Sequence, residues 1–284
     1  MRKDKLNIIT DPSTFVGSSC FSFRPTLFEW NHVNEYTEDA PMVLFDDTIR
    51  SVLFIPTNNK MIFGWLGESS EVIPQLIDDI LTKKDLYKSK LKCIFTHDYR
   101  LINKDPIFFQ YNPPASNMPW VLDQGIHQKT KLCSYITSLK YWTPGHKIRV
   151  KMLEHMLRNN LHVDSIYGRG HNEIEKKEIG LNDYMFSVVI ENGFYGKYYT
   201  EKVMDAFVTG TIPIYLGHRS ILEDFDENGI IFLDRDGPID YDIVNKLSED
   251  DYYSRLESVK TNYEIARKAK MSDDMIYERI QNYD

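Results

Sequence analysis

Glu201 and Lys202 open a helix-like segment, EKVMDAFVTG, directly after Thr200 and shortly after an apolar run, FSVVI at 186–190. Thr200 has the side chain of an N-cap, so both charged residues fall in the first helical turn. Acids are favoured there by the helix dipole, whereas a cation costs ~0.3–1 kcal/mol. A lysine at that position, with Lys197 just upstream, needs a reason. An anion at the helix start supplies one, because open α/β sheets bind ligands beyond the carboxyl ends of their strands and seat phosphates on helix amides. The alternative is a solvated lysine whose stem covers apolar surface. Glu201 also has two readings: an acid that the helix start favours by itself, or an acceptor of hydrogen bonds from the ribose hydroxyls of a nucleotide-sugar. Asn192 lies at the end of the same apolar run. Tyr195, Tyr198 and Tyr199 are either core or a wall for a base or sugar.

Other patterns carry less chemistry. GRG at 168–170 follows an apolar run, but Glu173 stands where a dinucleotide fingerprint needs its third glycine. DFDENG at 224–229 copies the first half of a calcium loop, yet Arg235 occupies the twelfth loop position instead of glutamate. Asp234-Arg235-Asp236, between IIFLD and Gly237-Pro238, reads as a turn rather than a metal-binding DxD. The eight histidines show no ligand spacing. No metal site is expected.

These residues must be held by a framework. The 284-residue length suggests two domains. Hydrophobic content of 42% and charged content of 27% are ordinary for a globular protein. The net charge of −8 excludes a molecule that is as a whole a trap for nucleic acid or anionic lipid, so any bound anion needs a local cationic cluster. Cys20, Cys93 and Cys133 are odd in number and widely spaced, which argues for reduced thiols. The first residues, MRKDKLNIITDP, are too short in apolar character for a signal peptide, and no 18-residue apolar window occurs. The chain is expected to be soluble and cytoplasmic, without a membrane anchor.

Short apolar runs mark the first part: LNIIT at 6–10, MVLF at 42–45, SVLFIP at 51–56, MIFGWLG at 61–67, CIFTH at 93–97 and IFFQY at 107–111. EVIPQLIDDILTK reads as a helix among them. Segment 111–125, with three prolines, is the candidate linker. Beyond it, LCSYIT at 132–137, VDSIYG at 163–168, FSVVI, IPIYLG at 212–217 and IIFLD at 230–234 alternate with helices around KIRVKMLEHMLRNN and EKVMDAFVTG. The end, from about residue 240, is helical by periodicity. Near-continuously apolar strands with helices between them require a parallel sheet covered on both faces. The expected domains are 1–125 and 126–284, the second of a doubly wound nucleotide-binding type.

The segment FSVVIENGFYGKYYTEKVMDAFVTGTIPIYLG resembles the signature of the α-1,3-fucosyltransferases, approximately F-x-x-x-x-E-N-(spacer)-Y-V-T-E-K-(helix)-G-x-x-P-V-x-x-G. The matched positions are Phe186, Glu191, Asn192, Tyr198, Thr200, Glu201, Lys202, Gly210, Pro213 and Gly217. Gly193 replaces the usual serine, and Tyr199 and Ile214 the usual valines. Ser134, Arg149 and YGRG at 167–170 sit in the family's order upstream of the signature. MIFGWLGESSEVIP resembles a segment ending in an E-S-P-like turn, with Ser70 where proline is usual. The likeness covers about 130–235, extends weakly over 61–100 and is absent over 1–50.

This resemblance implies a GT-B architecture, α/β with two Rossmann-like domains and a cleft between them: an acceptor-binding amino-terminal domain and a donor-binding carboxy-terminal one. It implies inverting, metal-independent transfer from GDP-fucose to a glycan hydroxyl, with no cofactor. It places Arg149, Asn192, Tyr198, Glu201 and Lys202 around the donor and makes Glu68 the candidate base. Arg169 and Lys197 are further candidate cations for the diphosphate. By local sequence alone Glu68 reads as a turn acid capping the helix that starts near Ser70, and the resemblance is what favours the base. Two rivals remain: another nucleotide-sugar donor or an unusual acceptor such as a modified nucleic acid, which the acidic charge disfavours, and a non-catalytic carbohydrate- or nucleotide-binding module.

Overall fold

The computed structural model describes residues 4–10, 25–38, 40–55, 61–111, 120–121, 123–162 and 165–283. Cys20 and most of segment 111–125 lie outside the described residues. The chain forms two compact units, one of residues 1–117 with 270–284 and one of residues 118–269. Among the described residues, no helix is long and apolar enough to cross a membrane.

The first unit is built on a parallel sheet of β1 (Asp4–Ile9), β2 (Phe28–His32), β3 (Met42–Phe45), β4 (Ile62–Leu66), β5 (Ile94–Thr96) and β6 (Phe108–Gln110), in the order β2-β1-β3-β4-β5-β6. Every residue of β3 and β4 is buried, as the continuous apolar runs require of strands covered on both faces. Alternate residues divide between two cores. Met42, Leu44, Ile62 and Leu66 pack with Leu76, Ile77 and Ile80 of helix α1 (Pro74–Thr82). Val43, Phe45, Phe63 and Trp65 face the other way. Two short helices follow α1: α2 (Lys84–Lys88) and α3 (Tyr99–Ile102).

The run SVLFIP is not a strand. Residues Asp46–Leu53 form a 3-10 helix, and residue 56 lies outside the described residues. Asp46 takes a left-handed φ of 44°, which turns the chain out of β3, and the buried Ile49 and Val52 sit three apart, a helical spacing rather than an alternating one.

The second unit holds β7 (Lys131–Ile136), α4 (Pro144–Arg158), β8 (Ile166–Tyr167), β9 (Tyr184–Ile190), α5 (Glu201–Val208), β10 (Ile212–Leu216), β11 (Ile231–Phe232), α6 (Glu249–Tyr253) and α7 (Leu256–Ala266). Its parallel sheet runs β11-β10-β9-β7-β8. The central strand, β9, is buried along its whole length. Counted within each unit, the strands of the second sheet stand in the order 2-1-3-4-5, and those of the first in the same order with a sixth strand added. Such an order reverses direction between its first and third strands, and ligands bind beyond the strand ends at that reversal. In the second unit the reversal falls between β7 and β9.

Residues 270–284, read from sequence as the tail of the second domain, pack with the first unit instead. Helix α8 (Ser272–Gln281) buries Ile276 and Ile280 in the core that holds Phe63 and Trp65. Asp274 accepts hydrogen bonds from the Thr26 amide (2.9 Å), the Thr26 hydroxyl (2.6 Å) and the Leu27 amide (3.0 Å). The Trp30 indole N–H donates to Asp273 at 2.6 Å. Periodicity announces a helix with an apolar face; it carries no information about which sheet that face covers.

Candidate active site

A cavity of about 180 Å³ opens at the carboxyl ends of β7 and β9. It is lined by Tyr135 to Ser138 at the end of β7 and just beyond, Ser187 to Ile190 of β9, Arg149 of α4, Glu201, Lys202 and Asp205 of α5, and Lys177. The chain reversal of the sheet therefore coincides with a concentration of charged side chains.

Three devices bring these residues together. Helix α4 starts with a reciprocal cap: Thr143 Oγ1 accepts from the His146 amide (3.1 Å), and His146 Nδ1 accepts from the Thr143 amide (3.3 Å). Burial, reinforced by Arg149, Lys140 and Lys202, lowers His146 to about 4, so the ring is neutral and its nitrogen can accept. Next, Gly145 lets α4 lie directly on the end of β9, since a Cβ there would come within 1.8 Å of the Glu191 carbonyl oxygen. Arg149, one turn on, donates from Nε to the Ile190 carbonyl (2.7 Å) and from Nη2 to Asn192 Oδ1 (2.6 Å). Finally, Thr200 caps α5 while Glu191 clamps Thr200: the Glu191 carboxylate accepts from the Thr200 amide (2.9 Å) and hydroxyl (2.7 Å).

The same clamp accounts for Lys202. Its ammonium lies 3.0 Å from Thr200 Oγ1, 3.1 Å from Glu201 Oε1 and 3.8 Å from Glu191 Oε2. Glu191 is fully buried. An unpaired carboxylate there would be costly, and Lys202 is its countercharge. The lysine faces carboxylates of this chain rather than an empty helix start.

Lys177 completes the set. It forms an ion pair with buried Asp205, which also accepts from the Trp120 amide at 2.6 Å. Burial acts against a charged Lys177, but Asp205 and Glu201 outweigh it and raise its pKa. Burial likewise acts against an ionised Glu201, but Lys202 and Lys177 prevail and bring its carboxyl down to about 2. The pocket is thus lined by three cations, Arg149, Lys177 and Lys202, and two acids, Glu201 and Asp205, with buried Glu191 behind Lys202. Sequence reasoning missed Lys177 and Asp205 and did not give Glu191 a place in the site. Only Glu191 had a signal, its fixed place in the signature.

Of the residues expected to act together, Arg149, Glu201 and Lys202 line the pocket and Asn192 bonds Arg149. Tyr198 is buried and stacks on Tyr195 with ring centroids 4.7 Å apart; Tyr199 belongs to the core. Lys197 and Arg169 are not brought in. Lys197 is ion-paired with Glu223, and Arg169 is exposed in the loop after β8. Asp234 Oδ1 accepts from the amides of Asp236 (2.9 Å) and Gly237 (3.1 Å), the turn expected of that tripeptide. Among the described residues no group of three or more His, Cys, Asp or Glu side chains is arranged to hold a metal ion.

In the first unit, Glu68 follows β4, and the amides of Gly67 and Glu68 donate to Asp46 Oδ1 at 3.0 and 3.4 Å. Glu68 is not a helix cap: the N-cap position of α1 is Ile73, with no side-chain bond.

Residues 126–265 match glycosyltransferase family 10 (fucosyltransferase), C-terminal part. The chain is 38% identical over 76 residues to the α-(1,3)-fucosyltransferase FucT of Helicobacter pylori, covering 25% of this chain and 16% of that protein. It is 24% identical over 164 residues to a protein of Acanthamoeba polyphaga mimivirus named as a fucosyltransferase, covering 55% of this chain and 27% of the relative. It therefore spans less than a third of either curated relative. A solved α1,3-fucosyltransferase aligns with 100% of this chain and 91% of its own at a TM-score of 0.56 and 14% identity. A structure with GDP-fucose gives the same coverage at 0.53 and 13%. Anabaena HepE, in complex with UDP and glucose, covers 84% of this chain and 77% of its own at 0.55 and 9%. The fold is GT-B. The second unit carries a family 10 glycosyltransferase domain, that of the fucosyltransferases.

Proposed function

We propose that this chain is an inverting, metal-independent fucosyltransferase that moves fucose from GDP-fucose to a hydroxyl of a glycan acceptor. One observation carries the reading: Arg149 and the Glu201-Lys202 pair of the signature line a single pocket at the strand reversal of the second sheet. Arg149 and Lys202 bind the donor diphosphate and stabilise the charge that develops on it as the bond from C1 to the phosphate oxygen breaks. Arg149 is fixed by Ile190 and Asn192, so its remaining N–H groups are presented without reorganisation. Glu201, ionised down to about pH 2, accepts hydroxyls of the nucleotide or sugar. Glu68 takes the proton of the acceptor hydroxyl as its oxygen bonds to C1, which gives one displacement and inverted stereochemistry.

Transfer from GDP-fucose, measured with excess EDTA and with added magnesium or manganese, tests the metal-free chemistry. Equal rates are expected; a rate abolished by EDTA and restored by the metal contradicts it. Glu68→Gln is expected to lower turnover about 10²–10⁴-fold while leaving GDP affinity as in the wild type.

A further inference from the structure

Asp46 stands at the carboxyl end of β3, beside β4, whose end bears Glu68. Its side chain is buried, with the residue 7% exposed. Oδ1 accepts from the amides of Gly67 and Glu68 and so holds the turn on which Glu68 sits. Oδ2, equally buried, has no hydrogen-bond partner among the described residues. The residue adopts φ 44°, a left-handed conformation that aspartate tolerates better than most side chains but that still needs support from its surroundings. An orphaned buried oxygen on a strained residue at a strand end calls for an explanation beyond packing.

We propose that Asp46 is the positioning residue of Glu68: it fixes the Gly67–Glu68 turn and keeps the proton of the carboxyl pair on itself, leaving Glu68 as the ionised member. This rests on the reading of Glu68 as the base. Two carboxylates close together do not both ionise readily, and the more deeply buried one retains the proton. Burial and then the charge of Glu68 raise Asp46 well above the usual carboxylate range, with Asp47 adding to the effect and the two amides opposing it. Just beyond β6, the buried hydroxyl of Tyr111 feels Asp46, Asp273 and Glu68. A neutral Asp46 supports the turn without placing a second negative charge beside the base, so Glu68 remains an acceptor at neutral pH.

The test uses the full chain as wild type, Asp46→Asn, Glu68→Gln and the double variant, each unfolded in urea across pH. A carboxyl whose folded pKa is raised stabilises the fold less and less as pH rises from its ordinary value of about 4 towards its folded one. Asp46→Asn, which cannot ionise, should therefore gain stability relative to wild type over that window. The gain should shrink in the Glu68→Gln background, where the like charge is gone. A gain independent of pH, or of equal size in both backgrounds, overturns the proposal. In turnover, Asp46→Ala should lower kcat about 10²-fold through misplacement of the base, with unchanged GDP affinity. Asp46→Asn should recover much of that loss and leave the acid limb of kcat/KM where it is in wild type. A downward shift of that limb would show Asp46 ionised and contradict the proposal. Full transfer by Glu68→Gln would instead overturn the reading of Glu68 as base, and the urea series would still judge the pair.

Discussion

Lys202 is anomalous by helix rules until its neighbours are counted. It offsets buried Glu191, pairs with Glu201 and bonds the cap residue Thr200, so an internal function accompanies the proposed external one. Glu201 depends on this arrangement, and its depressed pKa has a thermodynamic consequence. A carboxyl lowered from its ordinary value of 4.5 to about 2 contributes stability above that ordinary value and loses it as pH falls through that window. Urea unfolding should show wild type losing stability relative to Glu201→Gln between about pH 4.5 and 2; parallel curves would contradict the assignment. Lys177→Ala should cost about 1–3 kcal/mol by leaving buried Asp205 without its partner, and Asp205→Asn in the same chain should recover part of the loss. At this scale the sequence was legible where a motif fixed the residue types, as at Asn192, Thr200, Glu201 and Lys202. Lys177 and Asp205 were not, because an ion pair 28 residues apart leaves no mark in local spacing. Lys197 shows the converse: a cation inside the motif in sequence, but not among the residues lining the pocket.

Among the elements, α5 carries the site and its N-cap is the weak point. Thr200→Ala removes the cap and one of the two Thr200 bonds to Glu191. It should destabilise the fold by about 1–3 kcal/mol, and Thr200→Ser should restore most of it, as thermal unfolding can check. The end of this helix was as legible as its start: Gly210, with φ 68°, is the left-handed residue that follows its last turn. The strands β3, β4, β7, β9 and β10 could be found because sheets covered on both faces need unbroken apolar runs. β2, FEWNH, has no such run, with its Glu29 and His32 exposed; it was invisible for that reason. The apolar residues of 49–53 were misleading, since the same composition serves a 3-10 turn once Asp46 redirects the chain.

Across the whole molecule, the two units share the strand order 2-1-3-4-5, extended by a sixth strand in the first, and the second gathers Arg149, Lys177 and Lys202 with their acidic partners at a strand reversal. That the chain alternates strands and helices was evident from its pattern; that its last helix covers the first sheet was not, since the partners of Asp274 lie 247 and 248 residues away in sequence. Asp274→Ala should therefore loosen the first unit. Hydrogen exchange should rise in β1 and β2 and stay unchanged in β9, whereas uniform or absent changes would contradict this division of the chain. In the second unit, side-chain cations are proposed to hold the donor diphosphate. Calorimetric titration of GDP into wild type, Arg149→Ala and Lys202→Ala measures this most directly. Each variant should bind GDP about 10- to 100-fold more weakly, the worth of one charge-assisted contact; affinities equal to wild type in both would contradict it.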